Sequence, residues 1–144
     1  MSFNKVVIVE AKRTPIGSFM GSLSRIPATL IGAKSIESTI KSISLKTNLI
    51  DEVYFGNVLQ AGVGQAPARQ SAIFAGISKD VPCTTINKVC SSGMKSIFGA
   101  AQSIALGQNN VVVAGGMENM SMSPHYLNIR KGVKFGEKRL NDVM

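Results

Sequence analysis

Cys90 is the residue of this chain best placed to do chemistry. It stands in INKVCSSGMKSIFGAAQSIALG (86–107), after a β-branched run that ends at Val89 and before a stretch of small and apolar residues closed by Gly107. A thiol at the first turn of a helix meets N–H groups that have no partner within the helix. It also meets the positive end of the helix dipole, and both favour the anionic thiolate. The same N–H groups can receive an oxyanion when a thiolate attacks a carbonyl. Gly93 leaves room there for a substrate. A buried thiol that fills a gap is the competing reading, and strand–nucleophile–helix turns recur across unrelated α/β enzymes. The local pattern therefore leaves both role and reaction open.

Other residues invite weaker readings. His125 is the only histidine and the obvious base for Cys90, but it follows Pro124 in an irregular polar stretch, where a loop or surface role is expected. Cys83 opens a strand and reads as a core or interface thiol rather than a disulfide partner of Cys90. Gly62 and Gly64 hint at a phosphate cradle, but Pro67 stands where G-x-G-x-x-G needs its third glycine, so a tight turn into a helix is expected. Glu118 and Asn119 follow an apolar strand, at the end of the sheet where α/β folds bind ligands; a structural role is the plainer expectation. Met94, Met117, Met120 and Met122 could line an acyl pocket or fill core and loops.

The elements that must position Cys90 follow from the hydrophobic pattern. KVVIVEA (5–11), EVYFGNVLQ (52–60), CTTINKV (83–89) and NVVVAGG (110–116) read as strands. Continuously apolar strands imply a sheet covered on both faces. From Pro27 to about Ser44, Ala33, Ile36, Ile40 and Ile43 recur at helical spacing, with Lys34, Glu37 and Lys41 off the stripe. Residues 66–76 read as a short helix stopped by Gly76. Residues 91–106 form a helix whose one charge is Lys95; without a polar face it should be buried all round, against a second layer that the chain does not supply. Alternating strands and helices give an α/β fold with a mostly parallel sheet. Residues 117–144 carry no clear element, which suggests a fragment.

Composition narrows the partners. The 144 residues are 44% hydrophobic and 17% charged, which suits a globular domain, and the net charge of +8 reads either as a solvated basic surface or as a match for an anionic partner such as a phosphate-bearing small molecule. The basic residues are scattered, there is no Trp and no RNA-binding signature, so nucleic acid fits poorly. The densest cluster, Arg130, Lys131, Lys134, Lys138 and Arg139, is interrupted by glycines and reads as a loop. No apolar run has the length of a membrane span, and the first residues enter the strand-like run at Lys5 without a leader, so the expected location is the cytoplasm. A C-terminal address is left open. Both cysteines are then expected as free thiols.

Four segments together resemble one family. VVIVEAKRTPIGSF (6–19), GNVLQAGVGQAPARQ (56–70), TTINKVCSSGMKSI (84–97) and VVVAGGMENMS (111–121) are similar to the N-terminal half of a thiolase, nearest the members that act on acetoacetyl-CoA. SPHYLNIRKGVKFG (123–136) is similar to the start of the family's loop domain. The resemblance implies a thiolase-like α/β fold with a mixed, mostly parallel sheet. Residues 1–120 would be the N-terminal domain lacking its last strand and 121–144 the start of the loop domain, with the C-terminal catalytic half absent. The missing half would supply the layer that covers the apolar helix.

The implied activity is acyl transfer in lipid metabolism: condensation of two acetyl-CoA to acetoacetyl-CoA and CoA, or the reverse thiolysis. Cys90 would carry the acyl group, with its backbone N–H as oxyanion donor. A proton-transferring cysteine, an activating histidine and a water-positioning asparagine belong to the missing half, so this chain alone is expected to be inactive. The acyl-CoA is the substrate, with no separate cofactor or metal, and a homodimer or homotetramer is implied. A ketoacyl-synthase-like condensing enzyme and a non-catalytic interaction fragment are the alternatives.

Overall fold

The computed structural model describes residues 3–144. At its centre is β1 (Glu52–Gly56), paired in parallel with β2 (Cys83–Ile86) on one side and β3 (Val112–Gly116) on the other. Alternation along β1 sorts its side chains to two faces. Val53 and Phe55 are buried in the core with Ile36 and Ile40 of α1 (Ala28–Ser42) and Ala68 and Ala72 of α2 (Pro67–Phe74). Tyr54 points the other way, beside Gly99 of α3 (Ser92–Ala105). Helices α1 and α2 thus cover one face and α3 the other.

The helices stop where the sequence indicates. Gly76 and Gly107 take left-handed φ values of 83° and 73°, and the next N–H in each case closes back on the helix, Ile77 to Ala72 O and Gln108 to Ser103 O. Helix α1 ends in the same way at Ser44, φ 52°, a position usually given to glycine; Ile43 therefore leaves the apolar stripe and is exposed. The strands are shorter than their apolar runs: Asn57 ends β1, and Asn87 lies just beyond β2. Residues 117–144 hold one 3-10 turn (Met120–Met122) and a two-residue antiparallel ladder, β4 (His125–Tyr126) with β5 (Asn141–Asp142). Among the described residues no antiparallel strand joins the main sheet.

One expectation is corrected. The run 5–11 is not a buried strand: it pairs with nothing among the described residues, and Val7, Ile8 and Val9 are 61%, 77% and 73% exposed. It is held near its ends, where the Asn4 N–H donates to Ala105 O at 3.0 Å and Ser42 Oγ donates to Glu10 at 2.9 Å. Among the described residues the outer edge of β3 is also unpaired. A β-branched run becomes a strand only when a ladder is there to satisfy its backbone.

Helix α3 is buried on its sheet side, and its other side meets no second layer among the described residues, as its sequence led us to expect. Its buried residues are small: Ser92, Ser96, Ala100 and Ser103. Met94, Ile97 and Phe98 face outward. Small side chains let the helix lie close on the sheet, and the buried hydroxyls are satisfied within the helix, Ser96 Oγ on Ser92 O and Ser103 Oγ on Ala100 O. The large apolar side is left bare.

Candidate active site

The segment Asn87–Ser92 turns the chain from the end of β2 into α3 in very few residues. Val89 adopts φ 50°, an unusual conformation for a β-branched residue. Five hydrogen bonds hold it there. The Val89 N–H donates to Asn87 Oδ1 at 3.0 Å, Ser91 N to Lys88 O at 3.1 Å and Ser92 N to Val89 O at 3.1 Å. The buried Ser92 hydroxyl accepts from Lys88 N at 2.9 Å and donates to Val89 O at 2.6 Å. Cys90 sits inside this turn with an exposed side chain, and its own N–H is not among the donors that close it. No side-chain cap covers the first N–H groups of α3.

Glycines seat the turn on the sheet. Gly56 and Gly116 face each other across the β1–β3 ladder. A Cβ on Gly56 would lie 2.6 Å from the Ser92 carbonyl carbon and 2.7 Å from Gly93 N, and one on Gly116 would lie 3.3 Å from Gly93 Cα. Beyond this pair the strand ends are tied together. The Glu118 carboxylate accepts from Asn57 Nδ2 at 2.9 Å, Val58 N at 2.9 Å and Leu59 N at 3.2 Å. Asn57 is fully buried and also donates to Met117 O.

The remaining candidates separate. Cys83 is half-buried and donates to Val81 O at 3.4 Å, and burial pushes its thiol pKa up. His125 is exposed, with Nε2 3.9 Å from Asp142 across the small ladder. Gly62 and Gly64 lie in a turn into α2 whose carbonyls, Val63 O and Gln65 O, accept from the Gln70 amide; this is a turn closure and not an anion cradle. Asn119 ties down the loop before α1 through bonds to Leu23 O, Ser24 O and Ile26 O. Met117, buried against Ser71 and Gly32, and the exposed Met120 both border the cleft between residues 12–19 and α1, while Met94 and Met122 are exposed outside it.

A cleft of about 390 Å³ opens between residues 12–19, α1 and residues 116–121; Arg13, Phe19, Ser35 and Glu118 are among its walls, and Cys90 is not. Sequence reasoning missed the 12–19 wall and the roles of Asn57, Asn87 and Ser92. The one available signal was an Asn just beyond each of two strands. Among the described residues no group of His, Cys, Asp and Glu could hold a metal ion, and no helix is long and apolar enough to cross a membrane.

A parallel α/β sheet with an exposed cysteine in a constrained strand–helix turn defines the structural class. The family model "Thiolase, N-terminal domain" matches residues 6–144, and the chain belongs to the thiolase family. It is 56% identical over 140 residues to "Acetyl-CoA acetyltransferase 2" of Arabidopsis thaliana, covering 96% of this chain and 35% of that protein. It is 50% identical over 143 residues to "Acetyl-CoA acetyltransferase, mitochondrial" of Homo sapiens, covering 99% and 33%. "Acetyl-CoA acetyltransferase ERG10, cytosolic" of Gibberella zeae is 52% identical over 138 residues, covering 95% and 35%. The chain thus spans about a third of the length of the curated relatives it matches.

Proposed function

We propose that the chain is the nucleophile-bearing part of a thiolase that condenses two acetyl-CoA to acetoacetyl-CoA and CoA, and catalyses the reverse thiolysis. The observation that carries this is the exposed Cys90 thiol in a hydrogen-bonded turn at the start of α3. The names of the relatives support acetyl-CoA as substrate and favour a thiolase over a decarboxylating ketoacyl synthase.

In this reading Cys90 Sγ attacks the acetyl-CoA carbonyl. The negative charge on oxygen is met by the Cys90 backbone N–H, and CoA leaves as its thiol. A second acetyl-CoA loses an α-proton, and its carbanion attacks the Cys90 thioester, releasing acetoacetyl-CoA and the free cysteine. The groups that move these protons belong to the family's C-terminal half, so the 144 residues alone should not turn over. The acyl-CoA is the substrate and no separate cofactor takes part. Our reading includes a homodimer or homotetramer. The test is Cys90→Ser in the full-length product of the gene. A serine hydroxyl stays protonated where the thiolate would form, so activity should vanish. Activity within about tenfold of the parent, 1.4 kcal/mol of barrier, would assign the nucleophile elsewhere.

A further inference from the structure

The sheet is clipped at both ends by a carboxylate that bonds main-chain N–H groups across the β1–β3 pair. At the far end, the Asp51 carboxylate accepts from Asn110 N at 2.7 Å and Val111 N at 2.9 Å. At the near end, Glu118 accepts from Asn57 Nδ2, Val58 N and Leu59 N. Only the near end carries the first turn of α3. There the backbone of Ser92–Gly93 rests on Gly56 and Gly116 with no side chain between as a cushion. We propose that Glu118 is a positioning residue for Cys90: by tying the ends of β1 and β3 together, it fixes the floor on which the cysteine turn stands. This rests on the reading of Cys90 as nucleophile.

Two routes connect the clip to the thiol. The first is direct contact. A change in the spacing of Gly56 and Gly116 displaces Ser92, whose hydroxyl bonds both Lys88 N and Val89 O on either side of Cys90. The second runs through residues 57–59. Val58, whose N–H is held by Glu118, accepts at its carbonyl from Asn87 Nδ2 at 3.5 Å, and Asn87 Oδ1 accepts from Val89 N. Both routes end at Val89, whose φ of 50° is retained only while its surroundings hold it. Both carboxylate oxygens act as acceptors, Oε1 for Asn57 and Leu59 and Oε2 for Val58. A glutamine can reproduce one of these and must turn its NH2 toward a donor with the other.

The test compares Glu118→Gln with Asp51→Ala in the full-length product of the gene; alanine is needed at 51 because both N–H groups there bond the single oxygen Oδ2, which an asparagine carbonyl would replace. Each loses one clip of the same strand pair, but only one clip lies beneath Cys90. The readouts are the rate of Cys90 acetylation by acetyl-CoA, followed by peptide mass spectrometry, and the thermal melt. Displacement of the turn by a few tenths of an ångström should slow Cys90 acetylation about tenfold in Glu118→Gln, while Asp51→Ala stays within about twofold. The milder Asn57→Ser, which leaves the carboxylate its two main-chain partners, should fall between them and serves if Glu118→Gln does not fold.

Equal slowing in Asp51→Ala and the near-end variants would overturn the proposal, since loss of strand pairing would then suffice. Unchanged Cys90 acetylation in Glu118→Gln, or in Asn57→Ser should that variant stand alone, would overturn it too. The nucleophile reading fails separately, if acetyl-CoA does not acetylate Cys90 in the unsubstituted protein.

Discussion

Gly56→Ala should dislodge the cysteine turn. Its Cβ would meet the Ser92 carbonyl carbon at 2.6 Å, Gly93 N at 2.7 Å and Ser92 Cβ at 2.8 Å. Non-bonded carbon pairs prefer about 3.5–4.0 Å, so the overlap is about 1 Å against three atoms, none of which a rotamer change can move. Gly56 cannot retreat either. It is paired with Ile86 on one side and Gly116 on the other, and its carbonyl accepts from Met117 N at 2.9 Å. The first turn of α3 must therefore lift by about 1 Å, at an overpacking cost near about 3 kcal/mol. At about 1 °C per kcal/mol for a protein about three times the length of this chain, the melting temperature should fall by about 3–4 °C. A nucleophile misplaced by 1 Å loses about 100-fold in rate. The assay is a thermal melt together with initial rates of acetoacetyl-CoA thiolysis, on the full-length product. A melt within about 1 °C of the parent and a rate within about threefold would refute the idea that α3 is seated on Gly56.

The neighbouring Gly93→Ala should behave oppositely in the melt. Its Cβ meets nothing closer than 3.9 Å, and alanine favours the helix by about 1 kcal/mol, so stability should hold or rise. If that methyl crowds the acyl group at Cys90, kcat/KM should fall by about tenfold or more in the same protein; unchanged kinetics would place the substrate elsewhere.

Asp51 is held below its ordinary pKa of 3.8 by the Val111 and Asn110 N–H groups. A lowered folded-state value stabilises above the unfolded pKa and is lost as pH falls through the folded one. The difference in melting temperature between the parent and Asp51→Asn should therefore shrink on acidification below 3.8; a gap independent of pH would contradict this. Cys83, raised above its ordinary 9.0 chiefly by burial, should label with a midpoint on the alkaline side of that value; a midpoint at or below it would contradict the burial. Its sign is the reverse of Asp51: the stability that the neutral thiol contributes is present below the unfolded pKa and lost as pH rises through the folded one.

The three core strands and three helices were legible because local signals and tertiary context agreed. Ala33, Ile36 and Ile40 recur at helical spacing and are all buried, and Gly76 and Gly107 stop their helices as expected. Val7 to Val9 misled because β-branched character reports suitability for a ladder and cannot report whether a partner strand is present. The helix after Cys90 was legible as one that needs a second layer, but which of its sides meets the sheet was not: contact with the sheet is decided by size, so its serines and Ala100 go inward while Met94 and Phe98 stay out.

At the site, Cys90 stood out by its position before a helix. Asn57, Asn87 and Ser92 did not: Asn57 meets the Glu118 carboxylate, 61 residues away, and the bonds of Asn87 to Val89 N and of Ser92 to Lys88 N and Val89 O exist only in the folded geometry of the turn. The left-handed Val89 could not have been read at all, since nothing in its type favours that conformation.

Acetyl transfer to Cys90 is the most direct measurement. The full-length product is incubated with acetyl-CoA, quenched in acid to preserve a thioester, digested and analysed by mass spectrometry. One acetyl group on the peptide carrying Cys90, removed again by added CoA, is the expected result. Turnover of acetoacetyl-CoA with no acetyl on Cys90, or with the label on Cys83, would contradict it.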